Sequence, residues 1–379
     1  MNFEFNETQL MIRDTARQFA REELLPTVLE RDAKEEFPHD AVKKMGELGF
    51  MGMMVSDKYS GAALDTVSYV LAMEEISKVD ASAGVIMSVN NSLVCWGIET
   101  YGTDEQKAKY LPDLATGKKL GAFALSEPEA GSDASNQRTT AQRVGDNYVL
   151  NGTKNFITNG GHADIVLVMA ATDRTKKHKG VSAFIVEKTF PGFAVAKKEK
   201  KLGIRSSDTV SLSFTDCSIP KENLIKEEGF GMKFALRTLD GGRIGIAAQA
   251  LGIAQGSLEA SIHYSKTRKA FDNALSDFQA VQFKLADMST NIEAARVLTL
   301  RAASLKDHGE DFITAAAMAK LFASKVAVES ALEAIQIHGG YGYMKEYHVE
   351  RFLRDAKITE IYEGTSEIQR VVISRALLH

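Results

Sequence analysis

The spacing of apolar and polar positions divides this chain into three stretches. Over the first, to about residue 118, Tyr69, Ala72, Ile76 and Val79 step by 3, 4 and 3, which places them on one helix face. Asn6 with Gln9, and Thr103 with Gln106, have the spacing of reciprocal caps at helix starts. Gly46, Gly49, Gly52 and Gly61 mark the expected loops. From about residue 119 the period shortens to two. Val210, Leu212 and Phe214 alternate with Ser211, Ser213 and Thr215, the pattern of a strand with one buried face. Ile-Val-Leu-Val-Met at 165–169 and the run at 181–186 are further strands, and Asn151-Gly152 between such runs predicts a hairpin turn. In the third stretch Phe278, Val281, Leu285, Met288 and Ile292 step by 3, 4, 3 and 4, the seam of a packed helix. An Ala-rich run from Ala315 to Ala331 is suited to close packing against a neighbour.

Proline sharpens the third stretch. All six prolines lie at or before Pro220, so the 159 residues from Lys221 to His379 have none, and helices there run uninterrupted. A chain of 379 residues exceeds the roughly 250–300 at which single cores stop growing. The expected fold is α+β in three domains: an N-terminal α-helical domain over 1–118, a barrel-like or sandwich-like β-domain over 119–222, and a C-terminal four-helix bundle over 223–379.

Composition removes several classes of function. Apolar residues at 44% and charged residues at 25% exclude collagen-like, disordered and disulfide-scaffold chains. A net charge of −4 opposes an electrostatic hold on nucleic acid. Cys95 and Cys217 stand alone without metal-ligand spacing, so reduced, structural thiols and no metal site are expected. The start from Met1 to Gln9 is acidic and lacks a charged-then-apolar leader, and no apolar run approaches the ~18 residues of a membrane span. A bacterial cytoplasmic protein is expected, with no signal or transit peptide and no membrane insertion.

The dinucleotide fingerprint, the phosphate loop, the nucleophile elbow and the His-Glu-x-x-His pair are absent. Three segments remain. In Phe123-Ala-Leu-Ser-Glu-Pro-Glu-Ala-Gly-Ser-Asp133, Ser126, Gly131 and Ser132 offer donors around a Pro-fixed bend, suited to the carbonyls of a flat heterocycle or to capping a helix. In Gln336-Ile-His-Gly-Gly-Tyr-Gly342, paired glycines after a helix admit a close ligand or form a C-cap. In the third, Arg354 to Glu367, Glu363 lies between Tyr362 and Gly364. Desolvation there would raise its proton affinity and suit a general base, whereas a helix end would leave it solvated. Arg243, after two glycines, reads either as a charge at a helix start or as a ligand contact.

Taken together, the 123–133 segment, Tyr101-Gly-Thr with Gln106-Lys107 and Tyr110-Leu-Pro112, and Tyr362-Glu-Gly-Thr-Ser-Glu-Ile-Gln-Arg370 resemble the acyl-CoA dehydrogenase family over essentially the whole chain. Met87-Ser-Val-Asn-Asn-Ser92 and Ile358-Thr-Glu-Ile-Tyr362 are most similar to its short-chain, butyryl-CoA branch. The resemblance implies bound FAD, a homotetramer, and α,β-dehydrogenation of a short-chain, or short branched, acyl-CoA with electrons passed to an electron-transfer flavoprotein. It implies that Glu363 removes the α-proton while the β-hydride goes to flavin N5. The N–H of Glu363 and an FAD hydroxyl would hold the thioester oxygen, with Gly364 leaving room beside it.

Residue by residue, the resemblance assigns Phe123, Leu125, Ser126, Ser132, Phe156, Ile157 and Thr158 to the flavin. Phe156 stands where the family usually has tryptophan. Arg268 and Gln279 match residues reaching the FAD of a neighbouring subunit, and Phe271, Gln336, Gly339, Gly340, Thr365 and Glu367 match further flavin contacts. Ser132, Asp240 and Arg243 match positions on the CoA arm or behind the base. His338 is read as structural. Asp272, Asn273 and Ala274 depart from the family's glycine and proline after Phe271, which predicts a differently shaped hairpin. An oxygen-using acyl-CoA oxidase and a non-enzymatic, DNA-associated relative are the alternatives; the chain length opposes the first and the acidic charge the second.

Overall fold

Helical spacing in the first stretch resolves, in a computed structural model describing residues 4–378, into α1 (Glu7–Phe19), α2 (Val28–Lys34), α3 (His39–Glu47), α4 (Thr66–Val79), α5 (Ala81–Ser88), α6 (Trp96–Tyr101) and α7 (Asp104–Ala115). The first three residues of the start read for a leader lie outside the described residues. Both capping boxes form, at Asn6 with Gln9 and at Thr103 with Gln106. Tyr69, Ala72, Ile76 and Val79 are buried on α4. One expectation fails. A π-helical stretch (Val89–Cys95) joins α5 to α6, giving 21 continuous residues, Ala81–Tyr101, long and apolar enough to cross a membrane. Ser88, Asn90, Asn91 and Ser92 disguise that run in the sequence. Its most apolar window is 94% buried in the fold, and Asn90 and Asn91 donate to the carbonyls of Met51, Leu114 and Phe50, as suits a core helix.

The second stretch forms β1 (Gly121–Ala124), β2 (Thr140–Val144), β3 (Asn147–Thr158), β4 (Ile165–Ala171), β5 (Val181–Glu187), β6 (Phe193–Lys198) and β7 (Thr209–Pro220). They make one curled sheet in the order β1-β4-β2-β3-β7-β6, with β5 on β4. Strand β4 is buried on both faces. Val166, Val168 and Ala170 join the core inside the β-domain, and Ile165, Leu167 and Met169 join the core shared with the helices, hence its unbroken apolar run.

Two local readings are corrected here. Asn151-Gly152 is not a turn; it lies inside β3 at a register shift against β7. The β2–β3 hairpin turns instead at Gly145-Asp146, with Gly145 at φ 62°. The Asn-Gly pair serves a bulge: Asn151 accepts from the N–H of Asp216 at 2.8 Å, and a Cβ on Gly152 would stand 2.6 Å from the Cα of Thr139. On β7, Ser211 is buried and donates to Glu199, so the polar face of that strand is partly covered as well.

The Pro-free stretch forms α8 (Gly231–Thr267), a small hairpin of β8 (Lys269–Ala270) and β9 (Asn273–Ala274), α9 (Gln279–Asp307), α10 (Ile313–His338), α11 (His348–Thr359) and α12 (Ser366–Leu378). Helix α8 has 37 residues and is buried continuously from Asp240 to Ala254. It packs on α4 of the first domain and on α9, α10 and α11 of its own. The Ala-rich run lies on α10 against it. On α9 the expected seam is deep only at Met288 and Ile292; Val281 and Leu285 are half-buried and Phe278 caps the helix start.

Candidate active site

Between α11 and α12 the chain makes a closed loop, with the N–H of Ser366 donating to the Glu360 carbonyl at 3.0 Å. Inside it Glu363 and Gly364 have φ of 51° and 94°. A left-handed glutamate is strained by on the order of 1–2 kcal/mol, so the surroundings must hold it. They do so through the Gly364 carbonyl, which accepts from Lys320 Nζ at 2.7 Å and Gln369 Nε2 at 2.8 Å.

The Glu363 side chain is directed inward, and its Oε2 is shut off from solvent without a hydrogen-bond partner. Burial pushes the carboxyl up to about 7, against the pull of Lys320 and Arg243. Such a group is suited to accept a proton from a weak carbon acid near neutral pH. Among the described residues the N–H of Glu363 has no acceptor, which leaves a donor beside the carboxylate.

Arg243 is not at a helix start. Helix α8 begins at Gly231, and Arg243 is buried and donates to Asp240 at 2.7 Å. Burial raises the Asp240 carboxyl and lowers the Arg243 guanidinium. Arg243 Nε is left without a partner. Gly364 has a conformational role as well. A Cβ there would stand 2.7 Å from Gln369 Nε2, on a left-handed backbone, so the loop itself requires glycine. Room beside the carboxylate comes from Gly242 on α8, where a Cβ would stand 2.1 Å from Glu363 Oε2. Behind the loop the Tyr362 hydroxyl donates to Gln249 Oε1; Gln249 in turn donates to the Ala81 carbonyl at 2.7 Å. Gly242, Gln249 and Lys320 were not found by sequence reasoning, for they carry no motif.

The 123–133 segment is a braced platform and not a helix cap. Lys154, fully buried on β3, donates to the Leu125 carbonyl at 3.1 Å and to Glu127 at 2.7 Å. Glu127 also accepts from the N–H groups of Arg138 and Thr139. Burial pushes the Lys154 ammonium down to about 8 despite Glu127. Phe123 stacks on Phe234 of α8 at 6.3 Å. The N–H of Asn155 donates to the Ser126 carbonyl at 2.9 Å, which sets a second β3 bulge, between Lys154 and Ile157, beside this platform.

On that bulge Phe156 has φ 60° and is 67% exposed. The side chain of Ile157 is in the β-domain core, so its backbone alone faces outward. The hydroxyls of Ser126, Ser132 and Thr158 have no partner among the described residues. Free hydroxyls on the platform and on β3, with an uncovered aromatic side chain on the bulge, fit the polar edge and flat face of a flavin.

The remaining expected flavin residues fall in two places. Thr365 and Glu367 flank the Glu363 loop, Glu367 exposed in the first turn of α12. Arg268, Phe271, Gln279, Gln336, Gly339 and Gly340 gather at the far end of α8, away from Glu363. Arg268 lies 5.5 Å from the Tyr341 ring centre, and an added Cβ on Gly339 or Gly340 would meet nothing within 4 Å. The 25 residues of α8 from Arg243 to Arg268 span about 37 Å, so one chain does not bring both groups to one ligand end. The hairpin with Asp272, Asn273 and Ala274 forms a tight turn, with Phe271 at φ 53°, Asp272 at φ 64°, and Phe271 89% exposed. His338 stacks on Tyr264 at 4.2 Å and contacts the Ala334 carbonyl, a structural role.

Profiles of the acyl-CoA dehydrogenase N-terminal, middle and C-terminal domains match residues 6–118, 122–217 and 229–378. The chain is 52% identical over 374 residues to the short-chain specific acyl-CoA dehydrogenase of Clostridium acetobutylicum, covering 99% of each. Butyryl-CoA dehydrogenase from Megasphaera elsdenii superposes with a TM-score of 0.99 at 48% identity, over 100% of both chains. A chain from a structure described as the electron transferring flavoprotein of Acidaminococcus fermentans superposes with a TM-score of 0.99 at 53% identity, again over 100% of both.

Proposed function

This chain belongs to the acyl-CoA dehydrogenase family of FAD-dependent oxidoreductases, and from that premise we propose that it desaturates a short-chain acyl-CoA, butyryl-CoA first and short branched thioesters next, to the trans-2-enoyl-CoA. The observation that carries the reading is the enclosed Glu363 carboxylate, with its unpartnered Oε2 and a proton affinity near neutrality. Its similarity to short-chain and butyryl-CoA dehydrogenases supports the choice of substrate.

Glu363 takes the α-proton of the thioester through Oε2. Charge then develops on the thioester oxygen, where the free N–H of Glu363 donates a hydrogen bond that is stronger to the enolate than to the ground-state carbonyl. Gly242 keeps α8 clear of the carboxylate, and Tyr362 and Gln249 anchor the loop. Ser132, Asp240 and Arg243 hold the CoA arm or brace the base. FAD supplies the acceptor for the β-hydride; Phe123, Leu125, Ser126, Ser132, Phe156, Ile157 and Thr158 would hold its flavin end, with Thr365 and Glu367 nearby. Arg268, Phe271, Gln279, Gln336, Gly339 and Gly340 would hold the FAD of a neighbouring copy, the reading their separation along α8 supports, in a homotetramer in the bacterial cytoplasm. An electron-transfer flavoprotein takes the electrons onward, in keeping with the structural neighbour from Acidaminococcus fermentans.

The test is a panel of acyl-CoA thioesters scored by anaerobic bleaching of the flavin. Butyryl-CoA should bleach fastest, reoxidation in air should be slow, and an electron-transfer flavoprotein should restore the colour. In Glu363→Gln, FAD should remain bound while bleaching slows by about 1,000-fold or more. Near wild-type bleaching in that variant would refute the assignment.

A further inference from the structure

Lys320 is fully buried in the Ala-rich part of α10, yet it carries an ammonium. Its Nζ donates to the Gly364 carbonyl at 2.7 Å, and among the described residues it forms no ion pair with a carboxylate. An ammonium without a counter-charge is costly to bury. The other cation facing Glu363, Arg243 on α8, already shares its charge with Asp240 at 2.7 Å. The charge of Lys320 is unshared, and the group opposite it is Glu363.

We propose that Lys320 is a positioning residue for proton abstraction, holding the Gly364 carbonyl, and through it the left-handed turn at Glu363 and Gly364, and keeping the Glu363 carboxylate ionised. The inference rests on the dehydrogenase reading above and deepens it. Two features of the loop support it. Glu363 and Gly364 are consecutive left-handed residues, and their backbone is tied to the rest of the fold chiefly through the Gly364 carbonyl with its two donors, the Glu363 carbonyl adding a longer contact from Gln369 Nε2 at 3.4 Å. Gln369 supplies the second donor at 2.8 Å, but without charge. The loop's N–H donor and its carboxylate belong to one residue, so a shift of the turn that moves Glu363 displaces both from the substrate together.

The charged surroundings leave the assignment to Lys320. From α11, Glu360 is paired with Lys357 at 2.6 Å. From α12, Glu367 is exposed and near Arg370. From α4, Tyr69 donates its hydroxyl to Ser88, and Tyr362 is bonded to Gln249. Burial pushes the Lys320 ammonium down to about 8, opposed by Glu363, and Lys320 in turn favours the ionised Glu363 carboxylate against its burial.

The experiment compares Lys320→Met, Lys320→Gln and Lys320→Arg holoenzymes by anaerobic bleaching with butyryl-CoA across pH. Met should lower kcat by about ten-fold or more with a smaller change in KM, and shift the acidic limb of the profile upward by roughly half a unit or more. Gln keeps an N–H donor without the charge, so it should show the shifted limb; Arg should restore the wild-type limb. A purely structural role would lower the holoenzyme yield and leave the limb in place. A wild-type limb in both Met and Gln variants overturns the proposal, and should Met fail to fold, Gln alone decides. If wild-type protein is not bleached by any acyl-CoA, the dehydrogenase reading fails first, a separate result from active enzyme with indifferent Lys320 variants.

Discussion

Gly242 and Glu363, on different elements, fit together with no space for a methyl group: a Cβ on Gly242 would lie 2.1 Å from Glu363 Oε2 and 2.8 Å from Leu93 Cδ2. Gly242→Ala must therefore displace the carboxylate, which is the movable end of a side chain. Activity should fall by about 100-fold. Stability should hardly change, since alanine gains roughly 0.5–1 kcal/mol of helix propensity over glycine. Bleaching rates set beside thermal melts check this; equal losses of both would contradict it.

The raised proton affinity of Glu363 has a consequence for stability. Its folded value of about 7 exceeds the ordinary 4.5, so the folded state binds the proton more tightly. That contribution is fully present below the unfolded value and is lost as pH rises through about 7. Glu363→Gln, which stays neutral, should be more stable than the wild type at about pH 8, by on the order of 2 kcal/mol, with the gap narrowing toward about pH 5. Urea unfolding at equal FAD saturation measures it. A gap that widens on acidification would have the wrong sign.

Lys154 and Glu127 brace the flavin platform from below, both buried. Lys154→Met leaves Glu127 enclosed without its counter-charge and should cost about 3 kcal/mol or more of stability, and the double variant Lys154→Met with Glu127→Gln should regain part of that loss. Denaturant unfolding of the single and double variants gives the answer. Additive losses would mean that the pair does not act as a unit.

At the distal end of α8, Arg268→Ala should reduce the FAD carried per chain on purification and weaken assembly. Absorbance ratio and light scattering report the two. Full flavin content in a fully assembled variant would remove Arg268 from the cofactor site.

What could be read in advance follows the distance between interacting residues. Caps such as Asn6 with Gln9 are settled within three residues, so spacing reveals them. The Asn151-Gly152 bulge was misread as a turn because both structures favour those residues; its partner Asp216 is 65 residues away. The base was visible as Glu363 because its neighbours in sequence are also its loop. Its support was not. Lys320 meets Gly364 across 44 residues, and Lys154 meets Leu125 and Glu127 across 29 and 27. The residues at the end of α8 were assigned through family resemblance alone, because their hydrophobic pattern says nothing of a ligand.

Helix α8 runs 37 residues, about 55 Å, with Arg243 in its buried part and Arg268 at its end. In the proposed assembly each catalytic centre is then a mosaic, acyl-binding groups from one chain and part of the flavin cradle from another. Two inactive chains, one damaged at Arg243 and the other at Arg268, would complement each other when mixed. Some centres in the mixed oligomer would gather both faults, and others would escape with neither.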